Sequence, residues 1–383
     1  MRLTRRTLLS SALLAAPVRA LADGASLSPA SSPTPAPCGV VLPLSGPASL
    51  LGNEVLRGIE LAVASLNAAG GVAGQPVALT LADAPQAPQA TSAVNRLITT
   101  AHAGLILGSG TSSLSFPASA AAEMAGVPFI ELTASADGIC TRGFHYLLRT
   151  GSTGFMAAAL VAQLLATKYA NRTLGLLYNT GADASAFAAA LQTALVAAKL
   201  PLQLAIGYPE DQADLYDEAG RLMRANVEVL VHAAGPDDVL GLHLAATAQG
   251  WQPGTLIGFG AGYGLRDSAV ALGTGFDGTF YVGPPSYGAS PEAQTIFDAY
   301  LARYGVPPRS AESLSAYVGT RLVFETLGKL GGDPTKLLAA LRALTLPKAS
   351  LANGFGASFD HSGQNINAFV VLQQWRGGVL SPV

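Results

Sequence analysis

The sequence predicts an α/β protein built from two doubly wound parallel-sheet lobes. Three observations point there. Strands and amphipathic helices alternate from Cys38 onward, the alternation restarts after Arg149-Thr150, and half of the 383 residues are apolar while only 12% are charged. Such a composition buries a large core and excludes intrinsic disorder. Strands joined by crossover helices form parallel sheets covered on both faces.

The first element is an address. Residues 1–22 have a basic start, an apolar stretch from Leu8 to Val18 and a small-x-small end at Ala20-Leu21-Ala22, the pattern of a cleaved signal peptide. Arg5-Arg6 followed by Thr7-Leu8-Leu9 resembles a twin-arginine export signal. The apolar stretch is too short to span a bilayer, which takes about 20 residues, so stable membrane insertion is not expected. Residues 23–37, rich in Ser, Pro and Ala, read as a linker.

From Cys38 the elements follow in order. Residues 39–44 are a short apolar strand, and residues 54–69 place Val55, Ile59, Ala62, Val63 and Leu66 on one helical face before Gly70-Gly71. Val77, Leu79 and Leu81 alternate as a strand ending at Asp83. A helix over 88–101 has Pro88 in its first turn, and strands follow at 104–108 and 127–132. The second lobe reads as helices 153–169, 184–199, 211–225 and 237–249 leading to strands 173–178, 201–206, 227–233 and 255–259. A strand at 278–283 comes next, then helices 291–304, 310–330 and 334–344 and a late strand at 369–375. Three helices with no strand between them fit a return to the first lobe, with the last strands crossing back.

Charge and motifs exclude several function classes. Four of the 22 basic residues lie in the first 22 positions with no acid, which leaves 18 basic against 24 acidic residues in the body. Such a surface has no electrostatic reason to hold nucleic acid or anionic lipid. Cys38 and Cys140 allow at most one disulfide, and no Cys-x-x-Cys pair suggests zinc or redox chemistry. The sequence has no G-x-S-x-G elbow, no H-E-x-x-H and no P-loop. His102, His145, His232, His243 and His361 show no metal-ligand spacing, and Asp83 and Asp360 read as turn or cap residues. Neither an enzyme nor a cofactor is expected.

In open parallel sheets ligands sit beyond the carboxyl ends of strands, where helix N-termini offer free N–H donors. Two such loops are dense in hydroxyls: Ser109 to Ser115 after the 104–108 strand, and Thr133-Ala134-Ser135 after the 127–132 strand. Together they suit a carboxylate without any arginine, although serines and threonines also serve as helix caps there.

Further motifs carry a family resemblance. Ser45-Gly46-Pro47, Gly52, Arg57-Gly58 and the run Asn67 to Gly74 resemble the opening of the branched-chain amino-acid (Leu/Ile/Val-type) solute-binding proteins of ABC importers. Asp83, Gly108 to Ser119, Thr141-Arg142-Gly143, Arg149-Thr150, Ala316-Tyr317 and Phe359-Asp360 with Gly363 continue the match over about residues 38–375. The resemblance implies the type I periplasmic-binding-protein fold, two Rossmann-like lobes joined by a three-crossing hinge near 149–152, 281–285 and 350–356. Lobe 1 would be 38–150 plus 284–351, and lobe 2 would be 151–283 plus 352–383.

The resemblance also implies a site. A ligand carboxylate would be held by Ser112, within the Ser112-Ser113 pair, and by Ser135, while the Thr133 carbonyl beside Ala134 would help hold an amino group. Elsewhere the chain departs from the family: the acid that pairs with the ligand ammonium is Gly260, an aromatic is Leu51, a tyrosine is Asp183 and a further aromatic is Gly235. Asp183 offers a replacement negative charge; otherwise the ligand is a carboxylate with no amine. Phe259, Tyr263 and Tyr287 are expected to line the space. The function implied is an exported, monomeric periplasmic protein that delivers a small carboxylate or amino acid to ABC permease subunits. A ligand-sensing module of the same fold, reporting to a signalling partner, is the alternative.

Overall fold

β1 (Cys38–Leu42) is buried along its whole length and leads the first sheet. It is followed by α1 (Ser49–Ala68), β2 (Leu79–Asp83), α2 (Ala87–Thr99), β3 (Leu105–Gly108), α3 (Ser112–Ala125), β4 (Phe129–Glu131) and β5 (Leu147–Arg149). The computed structural model describes residues 37–383 apart from 211 and 213. The expected signal peptide, and the linker except Pro37, lie outside the described residues.

The strands of the first sheet are all parallel, in the order β2-β1-β3-β4-β5. Its two faces bury separate apolar clusters, one around Val40, Leu42 and Leu107, the other around Val41, Ile106 and Phe129. That division follows from the side-chain period of a strand, which sends successive residues to opposite faces. β5, only three residues long, had no alternation to betray it in the sequence.

The second lobe runs α4 (Gly154–Lys168), β6 (Leu174–Asn179), α5 (Ala182–Ala197), β7 (Leu204–Tyr208), α6 (Tyr216–Arg224), β8 (Val229–Ala233), α7 (Pro236–Ala248) and β9 (Thr255–Phe259). The glycine-rich stretch after β9 forms two short helices, α8 (Ala261–Gly264) and α9 (Arg266–Leu272), before β10 (Phe280–Gly283). The helix expected from 211 starts at Tyr216, whose N–H is capped by the Asp214 carboxylate at 2.9 Å. The five parallel strands stand in the order β7-β6-β8-β9-β10, the same winding as the first sheet.

α10 (Pro291–Tyr304), α11 (Glu312–Lys329) and α12 (Leu337–Arg342) return to the first lobe, where α11 packs along α1 and adds Ala316, Val323 and Leu327 to the first core. The chain then pairs β11 (Thr345–Leu346) with β12 (Ala357–Ser358). β13 (Val371–Arg376) and β14 (Val379–Pro382) finish as antiparallel strands on the β10 edge. Residues 352–365, expected to lie with the second lobe, belong with the first. Phe355 and Ala357 are buried, Phe359 packs into the first core, and Gly363 and Asn365 bond the backbone of Arg149. The third crossing therefore falls after Asn365 and before Val371, past the 350–356 expected.

Cys38 and Cys140 are both buried free thiols, one in each of the first lobe's two clusters. Among the described residues no helix is long and apolar enough to cross a membrane.

Candidate functional site

Each sheet changes winding direction beside its first strand, between β1 and β3 and between β6 and β8. Loops diverge at such points and leave a crevice. The loops after β1, β3 and β4 meet those after β6, β8 and β9 around a cavity of about 830 Å³.

Glu131, at the end of β4, organises the first-lobe wall. Its fully buried carboxylate accepts from the N–H groups of Ser109 (2.9 Å), Thr133 (3.1 Å) and Ala134 (3.0 Å). It also accepts from the hydroxyls of Ser109 (2.8 Å) and Ser115 (2.6 Å). One acid thus ties the β3 loop to the β4 loop and fixes Ser112 relative to Ser135. From below, the buried Arg149 guanidinium holds the carbonyls of Ala134 and Ala136 at 3.1 and 2.8 Å.

What those serines hold is Asp183, in the first turn of α5 on the opposite lobe. Its carboxylate accepts from Ser112 N–H at 2.9 Å, from Ser135 N–H at 3.0 Å, from Ser135 Oγ at 2.7 Å and from Ser112 Oγ. Ser112 opens α3, so the helix dipole adds to the attraction. Four donors on one carboxylate, with no cation among the described residues, is the coordination the sequence suggested for a ligand. In the structure the chain's own side chain fills it.

A second polar group lies at the start of α11. Glu312 accepts from Tyr281 OH at 3.3 Å and has the Ser310 hydroxyl beside it, while its Oε2 is buried with no hydrogen-bond partner of good geometry among the described residues. Burial pushes the Glu312 carboxyl above the usual range. The hydroxyls of Ser315, one turn along α11, and of Thr133 are likewise buried and without a partner among the described residues, and all three residues line the cavity. The remaining acids of the lining are Glu210, Asp237 and Asp238; among the described residues that line it, none is Lys, Arg or His.

Of the residues singled out in the sequence, Leu51, Ser113, Thr133, Ser135, Asp183, Gly235 and Gly260 line the cavity. Ser112 is buried behind the wall and reaches inward through its bonds to Asp183. Ala134 is buried, its N–H on Glu131 and its carbonyl on Arg149. Tyr263 is a correction: its ring stacks on Phe276 in the second-lobe core because Gly258 leaves room for it, and its hydroxyl bonds His232 Nδ1 at 2.7 Å. Tyr287 also points into a core, with its hydroxyl on Ser313 at 2.8 Å. Phe259 lines the cavity as expected. Glu312 and Ser315 gave no motif signal, since they reach the cleft only because the chain returns to the first lobe; Tyr281, on β10 of the second lobe, gave none either.

The comparison with known families decides the lineage. The periplasmic binding protein profile matches residues 35–378. The chain belongs to the periplasmic binding protein family. Among the relatives of this periplasmic binding protein, Leu/Ile/Val-binding protein homolog 8 of Brucella abortus is 33% identical over 359 residues, covering 90% of this chain and 89% of that one. Homolog 7 of the same organism is 32% identical over 385 residues, covering 97% and 96%. A leucine binding protein from Thermotoga maritima superposes with a TM-score of 0.80 at 18% identity, over 91% of this chain and 97% of that one. A solute binding protein of an ABC transporter from R. palustris, in complex with 4-hydroxybenzoate, gives 0.79 at 20% identity, over 91% and 95%. These likenesses establish the type I periplasmic-binding-protein fold.

Proposed function

We propose that the chain is the exported, monomeric solute-binding component of an ABC importer. It captures a small organic solute between its lobes and delivers it to a membrane permease in the periplasm, without chemical conversion. The observation that carries this reading is the cavity itself, walled by strand-end loops of both lobes and bridged by side chains from each. A space of about 830 Å³ falls in the range of small-molecule sites. The solved relatives in complex with isoleucine, leucine or benzoates support the solute scale. An amino acid or organic acid, the class implied by the sequence resemblance, reaches the serine donors only by displacing Asp183.

Thermal denaturation in the presence of pooled periplasmic metabolites tests the reading. A solute at 100 times its dissociation constant adds about 2.7 kcal/mol of stability, enough to raise the midpoint by a few degrees. Fractionation of the pool should trace the shift to one compound of small molecular weight. Absence of any shift across the pool and across authentic amino acids, acids and amines would reject it.

A further inference from the structure

Within the solute-binding reading, three features of the cavity narrow the solute. The donors suited to a ligand carboxylate are taken by Asp183 through four hydrogen bonds. The lining holds five carboxylates and, among the described residues, no basic side chain. A ligand carboxylate would bring one more negative charge to that wall and also dislodge Asp183.

The third feature is the set of unpartnered oxygens. Among the described residues Glu312 Oε2, Ser315 Oγ and Thr133 Oγ1 have no hydrogen-bond partner, and Ser315 is only 6% exposed. Glu312 and Ser315 stand three residues apart on α11, hence on one face. Gly151 joins them to Thr133: a methyl there would lie 3.6 Å from Thr133 Cα, and Gly151 also lines a small hollow with Ser315. A buried carboxylate oxygen without a donor is costly, and two hydroxyls beside it add further acceptors. A group with several N–H donors and a positive charge suits the unpaired acceptors of this wall.

We propose that the cleft takes an organic ammonium ion that lacks a carboxylate, received by Glu312 with Ser315 and Thr133, while Asp183 permanently stands in for the ligand carboxylate at Ser112 and Ser135.

Titration calorimetry on the purified protein with two matched sets tests this. One set is phenethylamine, hydrocinnamate and phenylalanine; the other is isoamylamine, isocaproate and leucine. Within at least one set the amine should bind at least about tenfold more tightly than the acid or the amino acid. Glu312→Gln, nearly isosteric and still able to bond Tyr281, should weaken the amine by about tenfold or more. Ser315→Ala removes a hydroxyl with no partner among the described residues, so it should lower amine affinity by about threefold without lowering the urea midpoint. Asp183→Ala vacates four donors and should raise the affinity of hydrocinnamate by at least about tenfold. Tighter binding of an acid or amino acid, lost with Ser112→Ala, overturns the ammonium assignment and leaves the importer reading standing. Amine binding indifferent to Glu312→Gln, acid binding unmoved by Asp183→Ala, or no binding of either amine overturns it as well.

Discussion

His232 shows how a residue type suggestive of chemistry is claimed by the core instead. It is fully buried at the end of β8, with Nε2 2.8 Å from Tyr208 OH and Nδ1 2.7 Å from Tyr263 OH. Burial holds its pKa down at about 3 against an ordinary 6.5, and burial also pushes both phenols upward, so neither provides a compensating charge. The sign of the pH effect follows. Below pH 6.5 the unfolded chain binds a proton that the folded chain refuses, so stability falls by about 1.4 kcal/mol per pH unit until near pH 3. His232→Gln removes that titration. Between pH 6.5 and pH 5 the variant should lose about 2 kcal/mol less unfolding free energy than the parent in urea titrations; parallel losses would place the proton elsewhere. The serine pair was legible from its hydroxyl density after two strands. Glu131, which aligns the pair, was not, because a glutamate inside an apolar strand carries no label saying that five donors converge on it.

At the scale of elements, the Arg57-Gly58 motif has its explanation in the packing of α1 on α11. A methyl at Gly58 would overlap the Ser313 carbonyl oxygen, in the first turn of α11. The two helices approach this closely while Glu54, one turn before Gly58, accepts from Tyr300 OH at 2.7 Å and from Arg309 N–H at 3.0 Å. Gly58→Ala forces the helices apart, and overpacking of this kind typically costs about 1–3 kcal/mol. A denaturant midpoint equal to the parent's would contradict that contact. Helix α11 itself was readable from its apolar period, whereas its register against α1 was not, since periodicity names a buried face and not the neighbour that covers it. Short strands such as β5 and β11 escaped for a related reason: with two or three residues there is no alternation to detect.

For the whole molecule, the lobes meet through side-chain and backbone bonds of the protein itself. Besides Asp183 on the two serines, Arg309 of the first lobe pairs with Asp267 of the second, and Arg266 N–H donates to the Arg309 carbonyl at 2.7 Å. A shut cleft should therefore persist in ligand-free solution, with a radius of gyration of about 20 Å as for a compact chain of this length. Asp183→Ala should raise that radius in small-angle scattering, and the combination with Asp267→Ala should raise it further. An unaltered profile would mean that other contacts suffice to keep the lobes together. The two-lobe plan was visible in the sequence because the strand-helix alternation restarts. The third crossing was misplaced because residues 352–365 have neither period, and their place is set by bonds to a strand far away in the chain.

Those bonds have a bearing on proteostasis. β5 is the last strand of its sheet, and its outer side would offer unpaired amides to any extended peptide. Instead the returning segment runs alongside it: Arg149 N–H donates to the Gly363 carbonyl at 2.9 Å, and Asn365 N–H donates to the Arg149 carbonyl at 3.0 Å. Exposed sheet edges template intermolecular pairing, and natural proteins cover them. A chain truncated or nicked ahead of this segment would bare a sticky rim, so terminal proteolysis should be read out as aggregation before any loss of solute capture is registered.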